Sequence, residues 1–328
     1  MVLRIGTLGA AWITPSALIE PAAGRDDVEV RCIAARDRGR AEAFAKEHGI
    51  PTVHDGYADV VEDPEIDAVY NALQISGHKE WTIRALEAGK HVLCEKPFAM
   101  NEAEAREMAD AARRSGRVCI EAFHYYYHPV GRRMREIVQS GQLGAIRSAS
   151  ATFCTGIEDT PSSIRHQIEL GGGATMDLGC YPLHFLRHIF GAEPEVLSAR
   201  AETLRGQIDI SMEADLRFPG GVPAHISTGM IPGTWFTSWV HVVGDEGTLL
   251  VDQPLVPQNG NRIEIATAAG TTVETLERTP TFVFQLEAFV RAIAGGAPMP
   301  TDADDGVISM RVIDAVYRAA GLSPRGEV

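Results

Sequence analysis

The chain has 328 residues, of which 45% are hydrophobic and 23% are charged. These values are typical of a globular protein with a full core, and they exclude a disordered or fibrous chain. The formal net charge of −14 argues against nucleic acid or an anionic membrane surface as a partner. No apolar run reaches the roughly 18 residues of a membrane span, and the five scattered cysteines form no Cys-x-x-Cys pair. We therefore expect a cytoplasmic protein of about two domains.

Up to about residue 122, short apolar runs alternate with helical patterns. Asp37 and Asn101 stand where N-caps are expected, and Gly89 and Gly116 stand where left-handed C-caps are expected. Strands that alternate with helices predict βαβ units and a doubly wound parallel sheet with both faces covered. The predicted strands are 3–8, 28–35, 68–73, 91–94 and 118–120, and the predicted helices are 13–23, 38–48, 78–88 and 102–114.

The second half of the chain has a different pattern. After a helical stretch around 130–140, strand-like runs follow one another with turn signals between several of them. Consecutive strands without intervening helices predict a largely antiparallel sheet, and two helices are expected near the end of the chain. The runs are 145–153, 196–204, 210–218, 224–229, 235–243, 247–251 and 262–266, and the helices are 284–294 and 306–319.

The turn after the first predicted strand has the pattern of a dinucleotide site. Aligned on Gly9, it reads G-x-A-x-x-T where the dinucleotide fingerprint has G-x-G-x-x-G/A. Small residues at this turn let the backbone approach a pyrophosphate at a helix N-terminus. A simple strand-to-helix turn explains the motif alone equally well, but its place after the first strand favours a cofactor. The predicted cofactor-binding residues here are Gly9, Ala10, Ala11, Trp12 and Ile13.

The end of the second predicted strand indicates which dinucleotide binds. An NAD-specific site usually has an acidic residue at this position, whereas this chain has Ala35 followed by Arg36. A guanidinium there can pair with a 2′-phosphate in a charge-assisted contact. Alternatively, Arg36 faces solvent and Asp37 only caps the next helix. We predict NADP as the cofactor, with NAD as the alternative.

A candidate catalytic lysine follows the predicted strand 91–94. Lys96 stands in the sequence Glu95-Lys96-Pro97 at the carboxyl end of that strand. The carboxyl ends of central parallel strands face the crevice in which such sheets bind ligands. An ordinary surface lysine before a loop is the alternative interpretation.

The segment AGKHVLCEKP that contains Lys96 resembles the signature of the Gfo/Idh/MocA family, named for glucose–fructose oxidoreductase, inositol dehydrogenase and a rhizopine-catabolism protein. The resemblance continues in EAFHYYYHP at 121–129, in GGGATMDLGCYPLH at 171–184 and in the last helix, DGVISMRVIDAVYRAA. It implies a Rossmann domain over 1–122 and, over 123–328, an α/β domain with a large open, mainly antiparallel sheet. It also implies a homodimer or homotetramer formed through that C-terminal sheet. It places Leu73, His78, Glu95 and Lys96 along the cofactor.

In this family the lysine of the signature is catalytic, and a second catalytic position lies four residues after the aspartate of GGGxxxD. These positions are Lys96 and Tyr181. A phenol with a pKa of about 10 is a poor base at neutral pH unless a cation favours the phenolate. Lys96 would supply that cation and would stabilise negative charge on the substrate oxygen. We predict Tyr181 as the proton acceptor or donor with Lys96 as its partner, although the two roles could be exchanged.

The resemblance also indicates a substrate site. On a helix, Asp177 and His184 share one face with Tyr181, and in the family such positions contact substrate hydroxyls. The alternatives are helix-terminal charge for Asp177 and a satisfied core histidine for His184. We add His124 and Tyr125 to the predicted substrate site, with packing as the alternative for Tyr125.

No metal is predicted. His124 with His128, and His184 with His188, have the i,i+4 spacing of helical zinc ligands, but no third ligand completes either pattern.

Together these features predict an NADP-dependent oxidoreductase that transfers hydride between a nicotinamide and a sugar or polyol-like alcohol or carbonyl. The tyrosine at 181 and the strand end at Arg36 resemble the dimeric dihydrodiol dehydrogenase and NADP-dependent xylose dehydrogenase subgroup of the family. This resemblance implies aldose 1-dehydrogenation, such as that of D-xylose, as the first choice of reaction. Oxidation of a trans-1,2-dihydrodiol is the alternative within the same chemistry. A non-catalytic dinucleotide-binding sensor is the alternative of another class, and the presence of both Lys96 and Tyr181 disfavours it.

Overall fold

The computed structural model describes residues 2–327 of the chain. It divides into two compact units. The first contains the residues up to Phe123 together with Phe282–Val307, and the second contains His124–Thr281 together with the residues from Ile308 onwards. The division into domains 1–122 and 123–328 stays a prediction, and in the structure the segment Phe282–Val307 lies with the first unit.

The first unit contains a six-stranded sheet in which every strand pair is parallel. The order of its strands is β3-β2-β1-β4-β5-β6, which is the order of a doubly wound dinucleotide-binding sheet. This confirms the predicted fold class of the first half. The strands are β1 (Leu3–Leu8), β2 (Val28–Ala34), β3 (Thr52–Val53), β4 (Ala68–Asn71), β5 (His91–Cys94) and β6 (Cys119–Glu121).

Helices connect these strands, and their predicted caps are confirmed. The Asp37 carboxylate accepts the backbone N–H of Arg40, and the Asn101 side chain accepts that of Glu104. Gly89 and Gly116 have φ of +78° and +64°. The predicted helix 13–23 is instead a π turn at Pro15–Ile19 followed by one short α turn. The helices are α1 (Glu20–Ala22), α2 (Arg38–His48), α3 (Tyr57–Glu62), α4 (His78–Glu87) and α5 (Glu102–Ser115).

The second unit contains an eight-stranded sheet of order β14-β13-β12-β11-β7-β10-β9-β8. All of its strand pairs are antiparallel except β7 with β10, which confirms the mainly antiparallel prediction. The strands are β7 (Ile146–Cys154), β8 (Glu195–Leu204), β9 (Ile208–Phe218), β10 (Val222–Gly229), β11 (Thr237–Gly244), β12 (Gly247–Asp252), β13 (Arg262–Thr267) and β14 (Gly270–Glu274).

One face of this sheet is covered and the other is more open. In β9, Met212, Ala214 and Leu216 are buried, whereas the alternate residues Glu213 and Asp215 are exposed. This period of two is the signature of a half-buried strand. Helix α7 (Cys180–Phe190) packs against β7 and against α6 (Pro129–Gln139).

The last two helices are α8 (Thr281–Ile293) and α9 (Ala303–Ala319), and both begin three residues before their predicted starts. Among the helices of residues 2–327, none is both long enough and apolar enough to span a membrane.

Candidate functional site

The turn after β1 is shaped by a glycine that no other residue replaces without strain. Gly9 has φ of +90°, and a Cβ atom there would lie 3.2 Å from the Leu73 side chain and 3.5 Å from the Ala72 carbonyl oxygen. The Ala10 carbonyl accepts a hydrogen bond of 2.8 Å from Arg40 Nη2, which ties the turn to α2. Ala11 and Ile13 are half-buried, and the Trp12 side chain is 85% exposed.

Three arginines surround the end of β2. Arg36 is exposed and forms no ion pair with any residue in the described part of its unit, whereas Arg38 pairs with Glu42 and Asp55. Burial raises the pKa of the neighbouring Tyr57, and the positive charges of Arg36 and Arg40 oppose that rise. The region next to the turn at Gly9 therefore carries unneutralised positive charge in an otherwise acidic protein.

Lys96 lies two residues after the end of β5, at the carboxyl edge of the parallel sheet, and its side chain is half-buried. The Glu95 carboxylate accepts a 2.6 Å hydrogen bond from the Tyr70 hydroxyl. The peptide bond between Lys96 and Pro97 is cis.

His78 links the segments at the ends of β4 and β5. Its ring nitrogens lie 3.0 Å from the Pro97 carbonyl oxygen and 3.0 Å from the Leu73 carbonyl oxygen. Burial, with a smaller contribution from the positive charge of Lys96, lowers the pKa of His78 to about 4, and the hydrogen bonds to the main chain oppose this shift. The structure thus brings Leu73, His78, Glu95 and Lys96 to one edge of the sheet, with Gly9 against Leu73.

In the second unit, Tyr181 lies in the first turn of α7 and is 5% exposed. Its hydroxyl lies 3.0 Å from His124 Nε2, and His124 Nδ1 lies 2.7 Å from Thr281 Oγ1. The rings of Phe153 and Phe185 lie 5.6 and 6.3 Å from the Tyr181 ring. A phenol hydroxyl with an imidazole partner in a nearly dry surrounding can exchange a proton with that partner.

The other predicted substrate residues have partners of their own. The Tyr125 hydroxyl lies 2.6 Å from His184 Nδ1, and both side chains are buried. Asp177 lies in the π turn Thr175–Gly179, which leads into α7, and accepts a 2.5 Å hydrogen bond from Arg165 Nε. The charge of Asp177 raises the pKa of Arg165. The predicted substrate roles of these three residues stay predictions.

A buried ionic network holds the glycine-rich loop 171–173, which precedes the π turn Thr175–Gly179. The sequence did not predict this network. Asp209 and Arg325 form an ion pair, and Asp209 also accepts the backbone N–H and hydroxyl of Thr175. Arg325 donates to the Gly172 carbonyl. Thr281 and Arg165 were missed as well. No local pattern marks any of these residues, because each acts through a partner distant in sequence.

Among residues 2–327, one group of neighbouring side chains has residue types that bind metal ions. The ligand atoms of Cys32, His54 and Asp63 lie within 4.8 Å of one another. His54 Nε2 and Asp63 Oδ2 are 2.9 Å apart, and burial raises the pKa of the Cys32 thiol to about 12. Zinc binds the thiolate form of cysteine. The group is therefore a hydrogen-bonded histidine–aspartate pair beside a buried thiol, and we assign no metal to it.

Comparisons with known proteins agree with this architecture. Residues 3–123 match the oxidoreductase family model with an NAD-binding Rossmann fold, and residues 132–250 match the GFO/IDH/MocA C-terminal domain. The chain is 32% identical over 320 residues to a D-xylose 1-dehydrogenase (NADP⁺) from Haloferax volcanii, and the match covers 97% of each protein. It is 32% identical over 256 residues to a trans-1,2-dihydrobenzene-1,2-diol dehydrogenase from Sus scrofa, which covers 77% of this chain and 75% of that relative.

A solved structure has a similar fold. It is a 3-ketoreductase from Actinomadura kijaniata in complex with NADP and TDP-benzene. The TM-score is 0.90 at 28% sequence identity, and the match covers 97% of this chain and 98% of that chain.

Proposed function

The chain belongs to the GFO/IDH/MocA family of oxidoreductases, and we propose that it is an NADP-dependent dehydrogenase or reductase of sugars or polyol-like alcohols. The observation that carries this proposal is the buried Tyr181 hydroxyl, hydrogen-bonded to His124 at the start of α7. Such a hydroxyl is placed to exchange the proton of a carbinol whose carbon loses hydride. A non-catalytic sensor has no need of this arrangement.

The residues around Gly9 fit a dinucleotide. Gly9 has a positive φ and no side chain, and a Cβ there would press on Leu73 and Ala72, so that the bare main chain of this turn is open to a pyrophosphate. We assign cofactor contacts to Gly9, Ala10, Ala11, Trp12 and Ile13, and further contacts to Leu73, His78 and Glu95. When bound, the nicotinamide accepts or supplies the hydride.

Arg36 is the proposed contact for the 2′-phosphate. Its guanidinium is exposed at the end of β2 and forms no ion pair among the described residues of its unit, so no salt bridge must break before it binds. The NADP named with the Haloferax and Actinomadura proteins supports the same choice. A charge-assisted contact of this kind contributes about 1.5–3 kcal/mol.

The catalytic roles are divided between two residues. We assign proton exchange with the substrate oxygen to Tyr181 and electrostatic stabilisation of that oxygen to Lys96, which follows β5. The polar groups that we propose to orient the substrate hydroxyls are those of Asp177, His184, His124 and Tyr125.

An aldose oxidised at its anomeric carbon, such as D-xylose, is the first proposed substrate, and the Haloferax relative supports it. A trans-dihydrodiol is the second. The ring of Phe236 lies 5.3 Å from that of Phe153, which in turn lies next to Tyr181. Phe236 and its neighbour Trp235 are 41% and 88% exposed. Aromatic faces close to Tyr181 suit the planar ring of a dihydrodiol as well as the apolar face of a sugar.

The test is an absorbance assay of the reduced nicotinamide with NADP⁺ or NAD⁺ and a panel of aldoses, polyols and trans-dihydrodiols. We expect NADP-linked turnover of one class, loss of turnover in Tyr181→Phe and Lys96→Ala, and unchanged NADPH binding in Tyr181→Phe. Lys79→Ala is the matched control, because the partly exposed Lys79 forms ion pairs with Glu104 and Glu107 and has no assigned role in catalysis or cofactor binding. Normal turnover in Tyr181→Phe contradicts the proposal, and tight NADPH binding without any turnover favours the sensor.

We also propose that the enzyme works in the cytoplasm as a homodimer or homotetramer that assembles through the open face of the second unit's sheet. On β11, Ser238, Val240 and Val242 are buried, whereas Trp239 and His241 on the other face are half-buried. A half-buried tryptophan on an open sheet face is typical of a subunit interface.

A further inference from the structure

We propose that His124 is the proton partner of Tyr181, and that Thr281 holds the imidazole in the tautomer which this role requires. The inference rests on the proposed function, because it assumes that Tyr181 exchanges a proton with the substrate. It changes the expected role of His124 from contact with the substrate to contact with the catalytic phenol.

Three separate segments bring these side chains together. His124 begins the short helical turn His124–Tyr127, Tyr181 lies in the first turn of α7, and Thr281 is the first residue of α8. Their exposed fractions are 7%, 5% and 0%. Hydrogen bonds are electrostatically stronger in such a surrounding than in water, so that a chain of them can hold a charge in place.

The two distances fit the tautomer that this role requires. A neutral imidazole has one N–H donor and one acceptor nitrogen. His124 Nε2 lies 3.0 Å from the Tyr181 hydroxyl, and Nδ1 lies 2.7 Å from Thr281 Oγ1. In the tautomer that we infer, the Thr281 hydroxyl accepts the Nδ1–H, and Nε2 is unprotonated and able to accept the phenol proton. Thr281 thus orients the histidine in the way that a third residue orients the base of a nucleophile–base pair.

The proton balance of the oxidation follows from this arrangement. The O–H bond of Tyr181 breaks and an N–H bond forms at His124 Nε2, which gives a phenolate beside an imidazolium. Loss of hydride from the carbinol carbon, which a bound nicotinamide would accept, turns the C–O single bond into a carbonyl, and the hydroxyl proton of the substrate passes to the phenolate. One proton remains on His124 and is released to water. In the reductive direction the same proton returns through Tyr181 to the new alcohol.

A general acid–base contribution is worth roughly 100- to 10,000-fold in rate. We therefore expect kcat of His124→Ala to fall at least 100-fold while the affinity for NADPH stays unchanged. His124→Gln, whose amide can bond to the phenol but cannot carry its proton, should fall by a similar factor. Thr281→Val should lose part of the activity, and Thr281→Ser should restore it because the hydroxyl returns.

The decisive measurement is rescue by added imidazole. The space left by the histidine in His124→Ala should admit imidazole, so that kcat rises with the imidazole concentration until it saturates. His124→Phe fills this space, and its kcat should not respond to imidazole. His225→Ala is the matched control because His225 lies in the second unit's sheet, where its partner is Asp215, and the activity of this variant should not respond to imidazole. A purely structural role for His124 predicts no rescue in any variant.

Two outcomes separate this inference from the proposed function. If Tyr181→Phe is inactive but His124→Gln retains the wild-type kcat, the inference fails and the proposed function stands. If Tyr181→Phe is active, the proposed function fails. Nitrogen NMR of the histidine ring tests the tautomer without turnover: protonation at Nδ1, lost in Thr281→Val, supports the inference, and protonation at Nε2 overturns it.

Discussion

Arg325 and Asp209 form an ion pair of 2.5 Å in which neither side chain is exposed to solvent. The guanidinium also donates to the Gly172 carbonyl oxygen at 2.6 Å, and the carboxylate accepts the hydroxyl of Tyr317 at 3.0 Å. A side chain at Gly173 would collide with both members of the pair. The last described segment of the chain thus holds the glycine-rich loop that leads through a π turn into the helix of Tyr181.

Breaking this pair should destabilise the protein strongly. Arg325→Met leaves the Asp209 carboxylate buried without its cation, which costs about 3–5 kcal/mol of unfolding free energy. Burial already raises the pKa of Asp209, and Arg325 and Thr175 oppose that rise. Arg200→Met is the control, since both side chains of the Arg200–Glu213 ion pair are exposed and such a pair is worth less than about 1 kcal/mol.

Urea unfolding of the two variants checks this prediction. The double variant Arg325→Met, Asp209→Asn should recover part of the loss, because it removes the uncompensated charge. Equal stabilities of Arg325→Met and Arg200→Met would show that the buried pair contributes no more than a surface contact.

Lower pH should weaken the fold through His78. Its pKa lies near 4 in the folded chain and at an ordinary 6.5 once unfolded, so that the unfolded state binds the proton first as pH falls. The stabilisation by neutral His78 is complete above about pH 6.5 and is lost as pH falls towards 4. Since one pKa unit corresponds to about 1.4 kcal/mol, the loss approaches roughly 3 kcal/mol.

The measurement is the unfolding free energy between pH 7 and pH 4. His78→Gln should flatten the pH dependence, because an amide does not titrate. A pH dependence that is unchanged in His78→Gln would place its origin in other groups.

Replacement of Arg36 should change the choice of cofactor. Arg36→Ala removes the proposed partner of the 2′-phosphate, so KM for NADP⁺ should rise roughly 10- to 100-fold while KM for NAD⁺ stays unchanged. Arg38→Ala is the control, because Arg38 is already paired with Glu42 and Asp55. Parallel changes for the two cofactors in Arg36→Ala would remove Arg36 from the phosphate site.

A charge on the open sheet face should separate the subunits. In Trp239→Glu, a carboxylate on β11 would have to be buried at the proposed interface, between the positions of Thr152 and Asp252 on the neighbouring strands. Light scattering after gel filtration should give the mass of a dimer or tetramer for the wild type and of a monomer for the variant. An oligomeric mass in both proteins would locate the interface elsewhere.

The architecture could be predicted to a large extent because its signals are local. The period of two in β9, the alternation of strands with helices before residue 122 and the N-caps Asp37 and Asn101 each depend on residues close in sequence. Elements without such a pattern were missed. Strand β3 has two residues, and β14 is an edge strand of mainly exposed side chains that shows no alternation in hydrophobicity.

By itself, the sequence determined the fold class, the family and the candidates Lys96 and Tyr181, since these follow from periodicity and from contiguous motifs. Only the tertiary structure decided the parallel pairing of β7 with β10 and the partners of the buried polar groups. His124 meets a hydroxyl 57 residues away, and Arg325 meets a carboxylate 116 residues away. A local pattern shows which side of an element is buried, but the group that satisfies a buried donor or charge comes from whichever distant element packs there.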